Sequence, residues 1–288
     1  MHKTVLLNEA IDGLDLHPDS VIIDATFGGG GHSTEILKRF PKAKVIALDQ
    51  DASVWKKSQV GISFHNENFR NLDKVLEKEG IEQVDGIIFD LGLSSGQLEN
   101  SGRGFSFQKD EPLLMTLKEN PTSRDVTAQE VVNKWGETSL ADVIYGYGEE
   151  KQARKIAKAI VEFRKKREIK TTFDLVKVIE QAIPAKFRKG KIHHATKTFQ
   201  AIRIAVNDEL GALALGLEKG VKLLKANGRM LVISFHSLED RIVKRFYKKQ
   251  VEENLAKLIN KKPITASMEE IKNNPRARSA KLRILEKI

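Results

Sequence analysis

The chain has 288 residues, 40% of them hydrophobic, and a formal net charge of +10. That length buries a full core, as one large domain or as a domain carrying an insertion. Having no cysteine excludes disulfides and thiolate–metal sites, and no apolar run approaches the ~20 residues of a membrane helix, so a cytoplasmic protein with no membrane partner is expected.

In chain order, residues 8–14 read as a short helix. Val21, Ile22 and Ile23 then run into Asp24, four glycines (28–31) and an amphipathic stretch with Ile36, Leu37 and Phe40 at helical spacing. This is a buried strand, a tight turn and a helix that Pro41 stops. Glycines there let a ligand approach the backbone, and free N–H groups at a helix start attract polar or anionic groups. Residues 44–49 form a second strand ending in Asp49, the rhythm of a parallel sheet. An acid at that strand end accepts from the vicinal hydroxyls of a ribose, or caps the next turn. Gly28 and Gly30 are followed by Ser33 where a nicotinamide fingerprint needs glycine, which favours a different adenosine-bearing cofactor. Residues 62–65 make a short third strand. Phe69 after it either stacks on an adenine or packs in the core. A fourth strand, 84–90, ends in Asp90, at the same sheet edge as Asp24 and Asp49.

Regularity breaks over 96–125, which is rich in Gly, Ser, Pro and charge. Helices are predicted at 127–134, 138–144, 149–166 and 172–182, with no strand-like run, so residues 105–195 read as an all-helical insertion. The sheet domain is then 1–104 with 196–288. A long helix follows over 196–224, a fifth strand over 228–234, and a helix over 238–250 capped by Ser237 with Asp240. Two closing strands are expected at 263–266 and 280–285, joined by a basic loop with Arg276 and Arg278. The charge divides along the chain: residues 1–150 are net −10, 151–200 net +11 and 201–288 net +9. That asymmetry reads as a cofactor-binding half and a polyanion-binding half, the alternative for 151–200 being a solvated helix face rich in Lys.

Seven blocks in this order resemble the RsmH (MraW) family of S-adenosylmethionine-dependent small-subunit rRNA methyltransferases. They are DATFGGGGH from Asp24, DLGLSS from Asp90, RGFSF from Arg103, YGEE from Tyr147, TFQAIRI from Thr198, SFHSLEDR from Ser234 and NPRARSAKLR from Asn274. The resemblance covers nearly the whole chain. It implies an α/β fold, a Rossmann-like methyltransferase sheet with an inserted all-helical domain, and N4-methylation of one cytidine at the decoding centre of 16S rRNA. By motif match, Gly30, Gly31, His32, Asp49, Phe69, Asp90 and Gln97 contact the S-adenosyl-L-methionine. The chain departs from the family over 111–118, where two acids and an arginine are missing, and at His194 and Lys197, where Pro and Arg are common.

The N4 amine of cytosine is a poor nucleophile, because its lone pair is delocalised into the ring. An acceptor for its N–H groups localises that pair and takes up developing positive charge. Asp90 stands where such an acceptor is needed. His236 either contacts the cytosine as a proton acceptor or is a satisfied structural histidine. His193 and His194 lack further ligands at suitable spacing, so no metal site is expected. The basic insertion, with Lys165, Arg188, Lys189 and Lys197, and the Arg276/Arg278 loop are expected to hold phosphates of 16S rRNA or the small ribosomal subunit. The competing readings are the same fold methylating cytosine in DNA, and a non-catalytic nucleic-acid-binding module.

Overall fold

A computed structural model describes residues 3–55, 60–185, 188, 190 and 192–288. They form two compact units, Met1–Ser94 with Leu210–Ile288, and Ser95–Glu209. No helix among the described residues is long and apolar enough to cross a membrane.

The first unit is built on seven strands: β1 Val21–Asp24, β2 Lys44–Asp49, β3 Ile62–Asn66, β4 Val84–Asp90, β5 Leu224–Ser234, β6 Ala256–Leu258 and β7 Lys281–Lys287. Their order in the sheet is β3-β2-β1-β4-β5-β7-β6. The first five pair in parallel, and β7 is antiparallel to both β5 and β6. The direction of build-up reverses between β1 and β4, which opens a crevice at their carboxyl ends. This is a Rossmann-like sheet, as expected.

Alternation of side chains decides the layers. Ile23, Ile46, Leu48, Ile87, Phe89 and Val232 pack on one face, against helices α3 (Leu72–Glu79), α10 (Glu209–Leu223) and α11 (Ser237–Glu252). Ile22, Val45, Ala47, Ile88, Leu231 and Ile233 pack on the other, against α1 (Leu7–Leu14) and α2 (Gly31–Arg39). Nearly all of these side chains are fully buried, each stabilising by about 1.5–3 kcal/mol relative to exposure. The edge departs from expectation. Residues 263–266 contribute only the single bridge Ile264–Leu282, and the strand beside β7 is β6. Asn260 occupies that edge instead, accepting from the Ile284 N–H and donating to the Leu282 carbonyl.

The second unit is helical: α4 Ser95–Glu99, α5 Ala128–Lys134, α6 Glu137–Gly148, α7 Ala153–Arg164, α8 Thr172–Ala182 and α9 Thr196–Asn207. Thr127 and Thr171 cap α5 and α8 through their hydroxyls. Its bounds are wider than 105–195, because α9 packs within it. Gly148 lies so close to α9 that a Cβ would stand 2.6 Å from the Lys197 carbonyl oxygen. Two expected helices are interrupted by left-handed residues. Glu149 (φ 48°) ends α6, so α7 starts at Ala153 rather than 149. Asp208 (φ 47°) splits the expected 196–224 helix into α9 and α10. The preceding Asn207 is anchored to the 111–118 loop through the Leu117 N–H and the Met115 carbonyl.

Candidate active site

Strand register assembles the site. Asp24 lies beside Ala47 of β2 and Ile88 of β4, so Asp49 and Asp90 each extend two residues beyond it on the same face. Three acids therefore line the carboxyl edge at the reversal point. The chain after β1 is threaded between its neighbours: Ala25 N–H donates to Ile88, Phe27 N–H to Leu48, and the Asp90 N–H to Thr26 Oγ1 at 2.6 Å. The turn itself needs glycine at Gly28 (φ 51°) and Gly30 (φ 70°). Around Gly28 a Cβ would meet nothing closer than 3.8 Å, whereas at Gly31 it would come within 1.8 Å of Thr4 Oγ1. The turn is thus open on one side and packed on the other.

Each acid is held differently. Asp24 is buried and accepts from Ser33 Oγ at 2.5 Å, which ties the strand end to the first turn of α2. Burial pushes its pKa up to about 6, against the pull of the Ser33 and Thr26 donors. Asp49 accepts from the Gly28 N–H (2.8 Å) and the Asp51 N–H (2.9 Å), and burial pushes it up to about 6 as well. Asp90 is raised to about 7, chiefly by burial, with Asp24 and Glu239 adding like-charge repulsion. Its side chain keeps 22% exposure, and His32 Nδ1 lies 3.9 Å from its carboxylate. The result is a recessed acidic crevice in which anionic charge is costly until a cation enters.

His236, not Ser237, is the N-cap of α11. Its Nδ1 accepts from the Glu239 N–H, while Glu239 Oε2 accepts from the N–H groups of Phe235 (2.8 Å) and His236 (3.2 Å). Its Nε2 lies 3.1 Å from Glu239 Oε1. The ring is occupied by a reciprocal cap, which supports its structural reading. Asp240 turns instead to Lys281 (3.0 Å) and Arg283 (2.7 Å) of β7. Phe69 is half-buried on the opposite face from the acids, edge-on to Phe89 with centroids 5.4 Å apart and against Gly216 of α10.

Gln97 is on α4 in the helical unit. Lys165 pairs with Glu162 (2.7 Å), Arg188 donates to the Ile183 carbonyl (2.9 Å), and Lys197 donates to the Glu149 carbonyl (2.9 Å). Lys189 falls outside the described residues. Arg276 and Arg278 occupy the short 3-10 turn Pro275–Ser279. The departing 111–118 loop is stitched within the helical unit. Arg103 Nη1 donates to the carbonyls of Thr116 and Leu117, Met115 N–H to Arg103, and Gly104 N–H to Glu111 Oε2. The sequence alone assigns no site role to Thr26, Ser33 or Glu239. Thr26 and Ser33 carry a faint signal, as hydroxyls two and nine residues after the strand-end acid.

A family model described as the MraW methylase family matches residues 1–288. Among curated relatives, a Ribosomal RNA small subunit methyltransferase H of Acetivibrio thermocellus is 48% identical, aligned over all of this chain and 99% of its own. Those of Sulfurihydrogenibium sp. (47%) and Limosilactobacillus fermentum (43%) align over all of this chain and 99% and 98% of theirs. With this sheet, this turn and a match along its whole length, the chain belongs to the MraW methylase family.

Proposed function

We propose that the protein methylates the N4 amine of one cytidine in small-subunit (16S) rRNA, with S-adenosyl-L-methionine as donor. The observation that carries this reading is the set of three strand-end acids in one crevice beside an open glycine turn. Their raised pKa values suit a cationic ligand, and Gly28 leaves space where a side chain would project. S-adenosylmethionine supplies an electrophilic methyl on a sulfonium. Gly30, Gly31, His32 and Asp49 form the wall that holds it, with Phe69 and Gln97 as further contacts carried over from the family motif.

Asp90 accepts an N–H of the target amine. It localises the lone pair, and it takes up the proton released as the new N–C bond forms. Near neutral pH it exchanges a proton readily, because its pKa is about 7. Ser33 and Thr26 fix the strand ends, so that the reacting groups meet in line. The cytidine has to leave its stack to reach the crevice. Lys165, Arg188, Lys189, Lys197, Arg276 and Arg278 hold rRNA phosphates, in the cytoplasm.

The test offers labelled S-adenosylmethionine to small subunits lacking the modification, to naked rRNA and to DNA, followed by nucleoside analysis. N4-methylcytidine from rRNA or subunits is the expected product. Label only in DNA would move the substrate to DNA, and transfer to none of the three would leave a nucleic-acid-binding module.

A further inference from the structure

Helix α11 carries a stripe of cations that the RNA-binding expectations above leave out. Arg241, Lys244, Arg245, Lys248 and Lys249 recur at intervals of three and four residues, so they share one face, and all five are exposed. The opposite face, with Val243, Tyr247 and Gln250, is buried, and Tyr247 Oη donates to the Met230 carbonyl at 2.8 Å. The stripe is therefore pinned rigidly to the sheet.

Its charge is only partly compensated. Lys248 and Lys249 reach Glu252 (3.2 Å) and Glu253 (3.7 Å), exposed pairs of little energetic value. Lys244 and Arg245 have no acid within ion-pair distance among the described residues. Asp240, the nearest acid on the helix, is taken up by Lys281 and Arg283. The helix starts three residues after β5 ends, at the same carboxyl edge as Asp90, whose partner on β5 is Ile233. From residue 241 to 249 the stripe runs about 12 Å away from that edge.

We propose that this face of α11 binds the phosphate backbone of the substrate RNA, with Lys244 and Arg245 as its main contacts. It forms a polyanion-binding surface on the sheet unit. The proposal rests on the rRNA reading for its ligand, and its test reads binding apart from methyl transfer. Multivalent phosphate contact displaces counterions, and the log–log salt dependence of affinity counts the contacts.

The experiment measures binding of small-subunit rRNA across a salt series for the wild type, the K244A/R245A variant and a charge-matched K42A/K78A control at the other edge of the sheet. K244A/R245A is expected to lower affinity about tenfold at physiological salt and to make the salt slope shallower by about 1.5. Its melting temperature and affinity for S-adenosylmethionine should be unchanged, and the control should keep the wild-type slope. An unchanged slope in K244A/R245A, or an equal change in the control, overturns the proposal. If the wild type transfers no methyl yet K244A/R245A loses slope, the methyltransferase reading fails while the surface stands. If the wild type methylates and the slope is unmoved, the surface alone fails.

Discussion

At the scale of single residues, Asp90 carries the sharpest expectation. Held recessed beside Asp24 and Glu239, it titrates near pH 7, and only its ionised form is a full acceptor for the amine. The transfer rate should therefore rise with pH through about 7 and level off above it. Asp90→Asn should lower the single-turnover rate by about 10²–10⁴ and remove that rise. Full activity in Asp90→Asn would remove the charged-acceptor role. The crowding of Gly31 gives a second expectation. Gly31→Ala drives a methyl into Thr4 Oγ1, and should raise the KM for S-adenosylmethionine by about tenfold with kcat less affected. The double variant with Thr4→Ala should recover most of the loss. Steady-state kinetics on both variants decides it, and no recovery would mean that the damage lies in the helix backbone instead.

Among elements, α11 shows how one cap fixes a junction. His236 and Glu239 satisfy each other's backbone donors where β5 leaves the sheet, so His236→Ala should destabilise the fold by about 1 kcal/mol in urea. His236→Asn keeps a cap acceptor and should restore most of that stability, with activity within a few-fold of wild type. A loss of transfer in a stable His236→Asn would instead place the ring on the substrate. Ser237→Ala should be nearly silent. The glycine turn and α2 behave as another such unit. The Asp24 carboxyl couples them through Ser33, and its raised pKa means that the folded state holds this proton more tightly than the unfolded chain does. The stability Asp24 contributes is fully present below pH ~4 and is lost as pH rises through about 6.

On the scale of the whole molecule, charge and fold divide the labour. The sheet crevice is acidic and suits a cationic donor, while the cations concentrate after residue 150, on the helical unit and the C-terminal elements. Among the described residues Lys165 is tied only to an exposed Glu162, a pair that costs little to break, and Arg278 is exposed. Lys165→Ala with Arg278→Ala should make the salt slope of rRNA binding shallower by about 1.5, without changing affinity for S-adenosylmethionine. Unchanged slopes would take these two residues off the RNA.

Local pattern alone determined much of this protein. Near-continuous apolar runs ending in Asp24, Asp49 and Asp90 mark three parallel strands, because a strand buried on both faces leaves little latitude in composition. Four consecutive glycines marked the turn, since Gly28 and Gly30 adopt backbone angles that other residues resist. The tertiary structure decided what depends on distant partners. Asn207 breaks the expected long helix by bonding a loop some ninety residues away. Asn260 sets which segment flanks β7. His236 rather than Ser237 caps α11, because Glu239 folds back onto the backbone of both Phe235 and His236. The acids become a single site only through strand register, which aligns residues up to 66 positions apart on one face and buries them together. Burial then raises their pKa values, and burial is a property of the assembled sheet that no stretch of sequence carries on its own.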